Sequence, residues 1–216
     1  MPILIAMVRL ARFSADVFVE ATLALVAEGG PSAASMAAIA RKVGAPTGSI
    51  YHRFESRSAI LATAWLECHE SFATGLAPPL RAGEGLGAAL SILDWARQHR
   101  RRARFLLLNE IEDLLDGPVP EPLQRQVERQ QAALDADFET YLALQRPKDR
   151  GDAAQAAARA KFLVLDGPIA LLRPHLLADK APPPFLDTMV EDMHRSLGTA
   201  ARAGAAMETD DGRRVA

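Results

Sequence analysis

Apolar residues recur at intervals of three and four along most of the chain, the period of one face of an α-helix. Alternating polar and apolar runs are scarce, and alanine, leucine, arginine and glutamate fill most segments. The pattern predicts a nearly all-α protein. A first helix is expected from about Ser14, which can cap it, to Glu28, with Phe18, Ala21, Leu25 and Val26 facing inward and Gly29-Gly30-Pro31 as the stop. Two short helices follow, Ser35 to Val43 and Thr47 to Phe54, around the turn Gly44-Ala45-Pro46. Ser56 caps a longer helix from Arg57 to about Leu76, with Leu61, Trp65, Cys68 and Phe72 on its apolar face and Pro78-Pro79 at its end.

Further helices are expected at about Glu84 to His99, Arg102 to Leu115 and Pro122 to Leu144, the last two divided by the loop 116–120. Residues 146–151 read as a linker. A long helix, Asp152 to Leu177, contains Gly167-Pro168, where the missing backbone donor predicts a kink. Ala181-Pro182-Pro183-Pro184 breaks the chain before a last helix from Phe185 to about Ala201. That makes about nine helices. From Gly204 onward the residues are small, charged and aperiodic, which predicts a disordered tail.

Composition changes this picture little. At 216 residues, 49% apolar and 24% charged, the chain has the balance of a soluble globular protein, long enough to bury a core without staples. Its single cysteine, Cys68, excludes a disulfide framework and a multi-cysteine zinc site. The start, MPILIAMV, is too short to span a bilayer and has no basic region before it, so a cytoplasmic protein is expected. Charge is more informative. The whole chain carries −2, so any surface for nucleic acid must be local, yet residues 1–65 carry +2 and the remainder −4.

That basic end holds the densest constellation, Ser35 to Phe54, SMAAIARKVGAPTGSIYHRF. A small residue at Ala40 lets one helix pass close over another. Gly44 sits where the chain must leave a helix, a position suited to positive φ. Ile50, with Ile39, Val43 and Phe54, plugs the angle between the two short helices. This is the logic of a helix-turn-helix. The second short helix offers Thr47, Gly48 and Ser49 first, small enough to let its N-terminus enter a major groove. Tyr51, His52, Arg53 and Arg57 follow as groups that reach phosphates.

The run Ser35-x-x-x-Ile39-Ala40, Val43-Gly44-Ala45, Gly48-Ser49-Ile50-Tyr51-x-x-Phe54 and Ser56-Arg57-x-x-Ile60-Leu61 resembles the DNA-binding head of TetR-family transcriptional regulators, over about residues 12–62. The chain departs from that pattern at Pro46, where the family often has serine or threonine, and at Arg57, where it often has lysine. The resemblance implies a three-helix DNA-binding head at 1–62, a ligand-binding and dimerisation body at 63–203 and a tail at 204–216. It implies a homodimer that represses from a pseudo-palindromic double-stranded operator until a small effector releases it. By position, Ser35 is expected to cap its helix and touch a phosphate, Thr47, Gly48 and Ser49 to face bases, and Tyr51, His52 and Arg57 to contact the DNA backbone.

In the body, two apolar seams are expected to form a four-helix interface with a second copy: Phe162, Leu165, Ile169 and Leu172 on one helix, Phe185, Met189, Met193 and Leu197 on the next. Candidate effector contacts are Trp65, His69, Phe72, Trp95, His99, Phe105, Asn109, Phe138, Tyr141 and Asp166, a mainly apolar set that favours a hydrophobic effector. The five arginines between Arg97 and Arg104 read as a helix junction pairing with acids rather than as a second phosphate site. The five histidines lack metal-ligand spacing, and neither a metal nor a cofactor is expected. The competing reading is an all-α small-molecule-binding protein or enzyme whose helix-turn-helix does not bind DNA. Against it, the chain has no P-loop, dinucleotide fingerprint or Gly-x-Ser-x-Gly elbow.

Overall fold

The structure, a computed structural model, describes residues 13–145 and 153–197. The described chain is helical, with no strand among the described residues. In chain order the helices are α1 (Ala15–Gly29), α2 (Met36–Val43), α3 (Thr47–Tyr51), α4 (Arg57–Arg81), α5 (Gly85–Gln98), α6 (Arg100–Leu107), α7 (Ile111–Leu114) and α8 (Glu121–Gln145). Then comes α9, built of Ala153–Lys161, a π-helical turn Phe162–Asp166 and Gly167–Leu177, followed by α10 at 185–197. The expected linker at 146–151 and the tail at 204–216 lie outside the described residues. Among the described residues no helix is long and apolar enough to cross a membrane.

Serine caps account for two of the starts. Ser35 Oγ accepts from Ala38 N at 3.2 Å, and Ser56 Oγ accepts from Ala59 N at 3.0 Å. Ser14 sits at the N-cap of α1 but its side chain makes no capping bond. Several boundaries differ from those expected, and the helix expected to reach Phe54 ends at Tyr51. The proline pair does not end the long helix: α4 continues through Pro78 and Pro79 to Arg81. Leu76, Ala77 and Leu80 are all buried there, and burying one more apolar turn outweighs the lost backbone donors. The helix expected at Arg102 to Leu115 is two helices. Asn109 Nδ2 donates to the carbonyls of Arg104 and Phe105, at 3.2 and 2.9 Å, so its amide closes the end of α6. In α9 the proline is accommodated by a π-helical turn in which Gly167 N bonds Phe162 O. Gly167 is required there, because a Cβ would meet Phe162 O at 2.9 Å and Met193 Cε at 2.7 Å. His194 Nε2, from α10, donates to Leu163 O at 3.1 Å within the same turn.

Two apolar cores lie along the molecule, and α4 runs through both. The first joins Phe18, Leu23, Ile39 and Ile50 from α1–α3 to Ile60, Leu61 and Trp65 of α4, Phe105 of α6, Leu114 of α7 and Val127 of α8. The second gathers Phe72, Leu76 and Leu80 of α4 with Ile92, Leu93 and Trp95 of α5, Tyr141, Val164, Leu172, Leu176, Leu186 and Val190. The division expected between residues 62 and 63 therefore falls inside a continuous helix and inside a shared core.

Candidate nucleic-acid interface

The α2–α3 hairpin is set by the turn at Gly44-Ala45 and by the apolar contact of Ile39, Ala40 and Ile50. Gly44 adopts φ 70°, ψ 28°, the left-handed conformation that glycine takes at no steric cost, and ends α2. Ala45 N then donates to Ala40 O at 2.9 Å, turning the chain into α3. Ile39, Ala40 and Ile50 are fully buried between the helices, as the spacing predicts.

With Ile50 facing inward, the rest of α3 faces out. Thr47 and Gly48 are exposed and Ser49 is half-buried. Among the described residues a Cβ on Gly48 would meet nothing within 4 Å beyond its own helix, so none of them covers this point. Tyr51 is 56% exposed, and His52 and Ser35 are exposed as well. A hairpin buried in a bundle would have walled these residues in.

The basic groups are more committed than the charge count suggests. Arg9 and Arg12 lie outside the described residues. Lys42 Nζ pairs with Glu28 at 3.1 Å. Arg57 bonds Pro31 O, Ala34 O and Asp116. The arginine run is a junction, as expected: Arg97 bonds Pro182 O, Pro183 O, Asp94 and Asp187. Arg100 and Arg104 pair with Asp179, while Arg101 and Arg102 pair with Glu20 on α1.

The body's candidate residues separate into groups. Trp65 stacks on His69, ring centroids 4.4 Å apart. Phe72 meets Trp95 edge-on at 5.1 Å, and Trp95 Nε1 donates to Ser71 Oγ at 3.0 Å. Phe138 lies 5.9 Å from Tyr141. His99 is exposed at the α5–α6 junction, and Asp166 is exposed and pairs with Lys161 at 3.4 Å. Phe105 is fully buried in the first core, and Asn109 is occupied in ending α6. Of the two seams, Leu172 is fully buried within its own chain, whereas Phe162, Phe185 and Met189 are exposed.

One polar pair stands between α4 and α8. His69 is 7% exposed, and among the described residues neither its Nδ1 nor Gln130 Oε1, both out of solvent, makes a well-formed hydrogen bond. Gln130 was not among the sequence candidates. Its signal is legible afterwards: it is the lone polar residue in the α8 series Leu123, Val127, Gln130, Leu134, Phe138 and Tyr141. Burial holds His69 below the usual histidine range, against a smaller opposing influence of Gln130 and Asp135. His194 is lowered by burial too. The unfolded chain therefore binds protons that the native one refuses, so stability rises with pH up to the ordinary histidine pKa and falls as pH drops below it. Between pH 7.5 and 5.5 the thermal midpoint should decline, and His69→Phe should flatten that decline. An unchanged slope in the variant would remove His69 as its source. Cys68, by contrast, is a packing residue, its thiol pushed up to about 12 by burial.

Residues 18–64 match the family model of bacterial regulatory proteins, tetR family. The fold is similar to that of a transcriptional regulator from Rhodococcus sp. Rha1, at 16% identity and TM-score 0.58, over 85% of this chain and 97% of that one. It is also similar to a structure named as a tetR family transcription regulator from Shewanella sp. PV-4, at 18% identity and TM-score 0.50, over 76% and 92% of the two chains. No curated protein sequence matches this chain. The head at residues 18–64 thus matches the tetR-family model, and the helical chain as a whole has a fold similar to that of these two regulators.

Proposed function

We propose that this protein is a homodimeric, ligand-responsive DNA-binding regulator. It acts in the cytoplasm as a repressor of a pseudo-palindromic operator, and it has no catalytic step. The observation that carries the reading is the uncovered start of α3, where Thr47, Gly48 and Ser49 stand on a hairpin locked by Gly44 and Ile50. Small side chains there let the helix end approach base edges, while Ser35, Tyr51 and His52 flank it as phosphate contacts.

A second copy would bury the apolar surface that Phe162, Phe185 and Met189 expose, joined by half-buried Leu165, Ile169, Met193 and Leu197. Two-fold symmetry would then present two α3 helices to one face of a duplex. An effector would bind between α4, α5 and α8, among Trp65, His69, Phe72, Trp95, Phe138 and Tyr141. The apolar side chains among these suit a hydrophobic molecule, and His69 with Gln130 adds a buried polar pair. Binding there would shift α4 and change the spacing of the two heads, so that both half-sites could no longer be engaged together.

The test is selection of duplexes from a randomised pool by the full-length protein, then fluorescence anisotropy over a salt series. Sequence-selective binding that weakens steeply with salt is expected. Thr47→Ala should relax preference at one position by about 1–3 kcal/mol, whereas Tyr51→Phe should weaken binding to all sequences alike. If the pool yields no selected sequence at any salt concentration, the reading is wrong.

A further inference from the structure

Arg57 opens α4, the helix that passes from the head into both cores. Its side chain is only 25% exposed, and its donors point in three directions. Nε donates to Ala34 O at 3.1 Å, and one terminal nitrogen donates to Pro31 O at 2.6 Å. The other donates to Asp116 Oδ1 at 2.5 Å. Pro31 and Ala34 bracket the short turn that joins α1 to α2. Asp116 lies in the loop between α7 and α8, in the body. The next residues repeat the contact without charge: Ser58 is buried, and a Cβ on Gly117 would fall 2.7 Å from Ser58 Oγ. The 116–117 loop is therefore pressed against the first turn of α4, and one guanidinium ties it to the linker that carries the recognition hairpin.

We propose that Arg57 is a positioning residue, which with Asp116 as its body-side anchor fixes the angle at which the α2–α3 hairpin is carried, and that it does not serve as a phosphate contact. The inference rests on the DNA-binding reading above. Its chemistry requires arginine. A planar fork reaches two carbonyls and a carboxylate at once, which a single ammonium on a flexible stem cannot do. Its value lies in register. Two recognition helices engage two half-sites together only while their separation is held, and freedom at this joint dilutes the second head at its half-site. Binding to arbitrary duplex needs no such register.

The experiment is anisotropy with the selected duplex and a scrambled one, over a salt series, on full-length Asp116→Ala, Arg57→Lys and the double variant. Asp116→Ala should weaken binding to the selected duplex by up to about fivefold. Arg57→Lys should weaken it on the order of tenfold, because two bonds to carbonyls are lost as well. Scrambled-duplex affinity and the salt slope should stay put, and the double variant should lose no more than Arg57→Lys alone. A phosphate contact predicts the opposite pattern. Lysine would keep that contact, and removing an acid would leave DNA binding unchanged or tighter. Full affinity in Arg57→Lys, or an undiminished or tighter Asp116→Ala, would overturn the inference while the DNA-binding reading stands. Failure of the unaltered protein to select any duplex would overturn both. Asp116 is 59% exposed in its loop, so its variant tests the idea even if Arg57→Lys fails to fold.

Discussion

Gly48→Glu should abolish selective duplex binding, at a loss of about a hundredfold or more, with the thermal midpoint unchanged to within about 2 °C. The two halves of this result have separate causes. In the free protein the new side chain enters open space, since nothing lies within 4 Å of a Cβ at this position. Replacing glycine within a helix lowers the conformational entropy of the unfolded chain, and an acid in the first turn suits the helix dipole. Stability therefore holds or rises slightly. On DNA the same carboxylate would sit where α3 must meet the groove, adding bulk and a like charge beside phosphates. Like-charge juxtaposition in an interface costs several kcal/mol, and each 1.4 kcal/mol is tenfold in affinity. Melting curves and anisotropy on one sample separate the two effects. Undiminished binding by a folded Gly48→Glu protein would mean that α3 does not enter the groove by this end.

Phe105→Ala should destabilise the whole protein by about 3–5 kcal/mol, the range for a buried aromatic ring cut back to alanine. For a chain of this size the midpoint should fall by on the order of 10 °C. Phe105 is fully buried where α6 meets the side chains of the head. The resulting cavity would open in a core that α1, α4, α6, α7 and α8 share. Trp65 reports on that core and Trp95 on the other. Because α4 belongs to both, single-tryptophan versions should melt in one transition, with both reporters shifting together. A loss below about 1 kcal/mol would return Phe105 to the effector site, where its place in the sequence first put it.

The fold and the site were legible to different degrees. The capping Ser56, the left-handed Gly44 and the buried Ile50 were readable in one sequence, because each answers to a local rule of backbone geometry or helical period; the same rule applied to Ser14 was not met, and Ser35 as a cap came with the family resemblance. The open face at Thr47, Gly48 and Ser49 followed from the same period. Reading failed where distant groups compete. Pro78 and Pro79 are helix breakers by their own chemistry, yet buried leucines on both sides hold them in α4. Leu172 lies on the seam expected to face a partner, yet it is turned into its own core.

Arg57 shows the division most sharply. Its charge and its place at the start of α4 are facts of sequence, and by themselves they suit a phosphate. Its three partners are 23, 26 and 59 residues away along the chain, so only folding could bring them together. The sequence by itself determined the helices and the hairpin's outward residues, since those depend on neighbours within a turn or two. Tertiary structure decided which cations are drawn into ion pairs, which ring is core, and that the polar atoms His69 Nδ1 and Gln130 Oε1 are buried together with apolar neighbours. Those outcomes are settled by competition for space and hydrogen bonds between segments far apart in the chain, which no local period records.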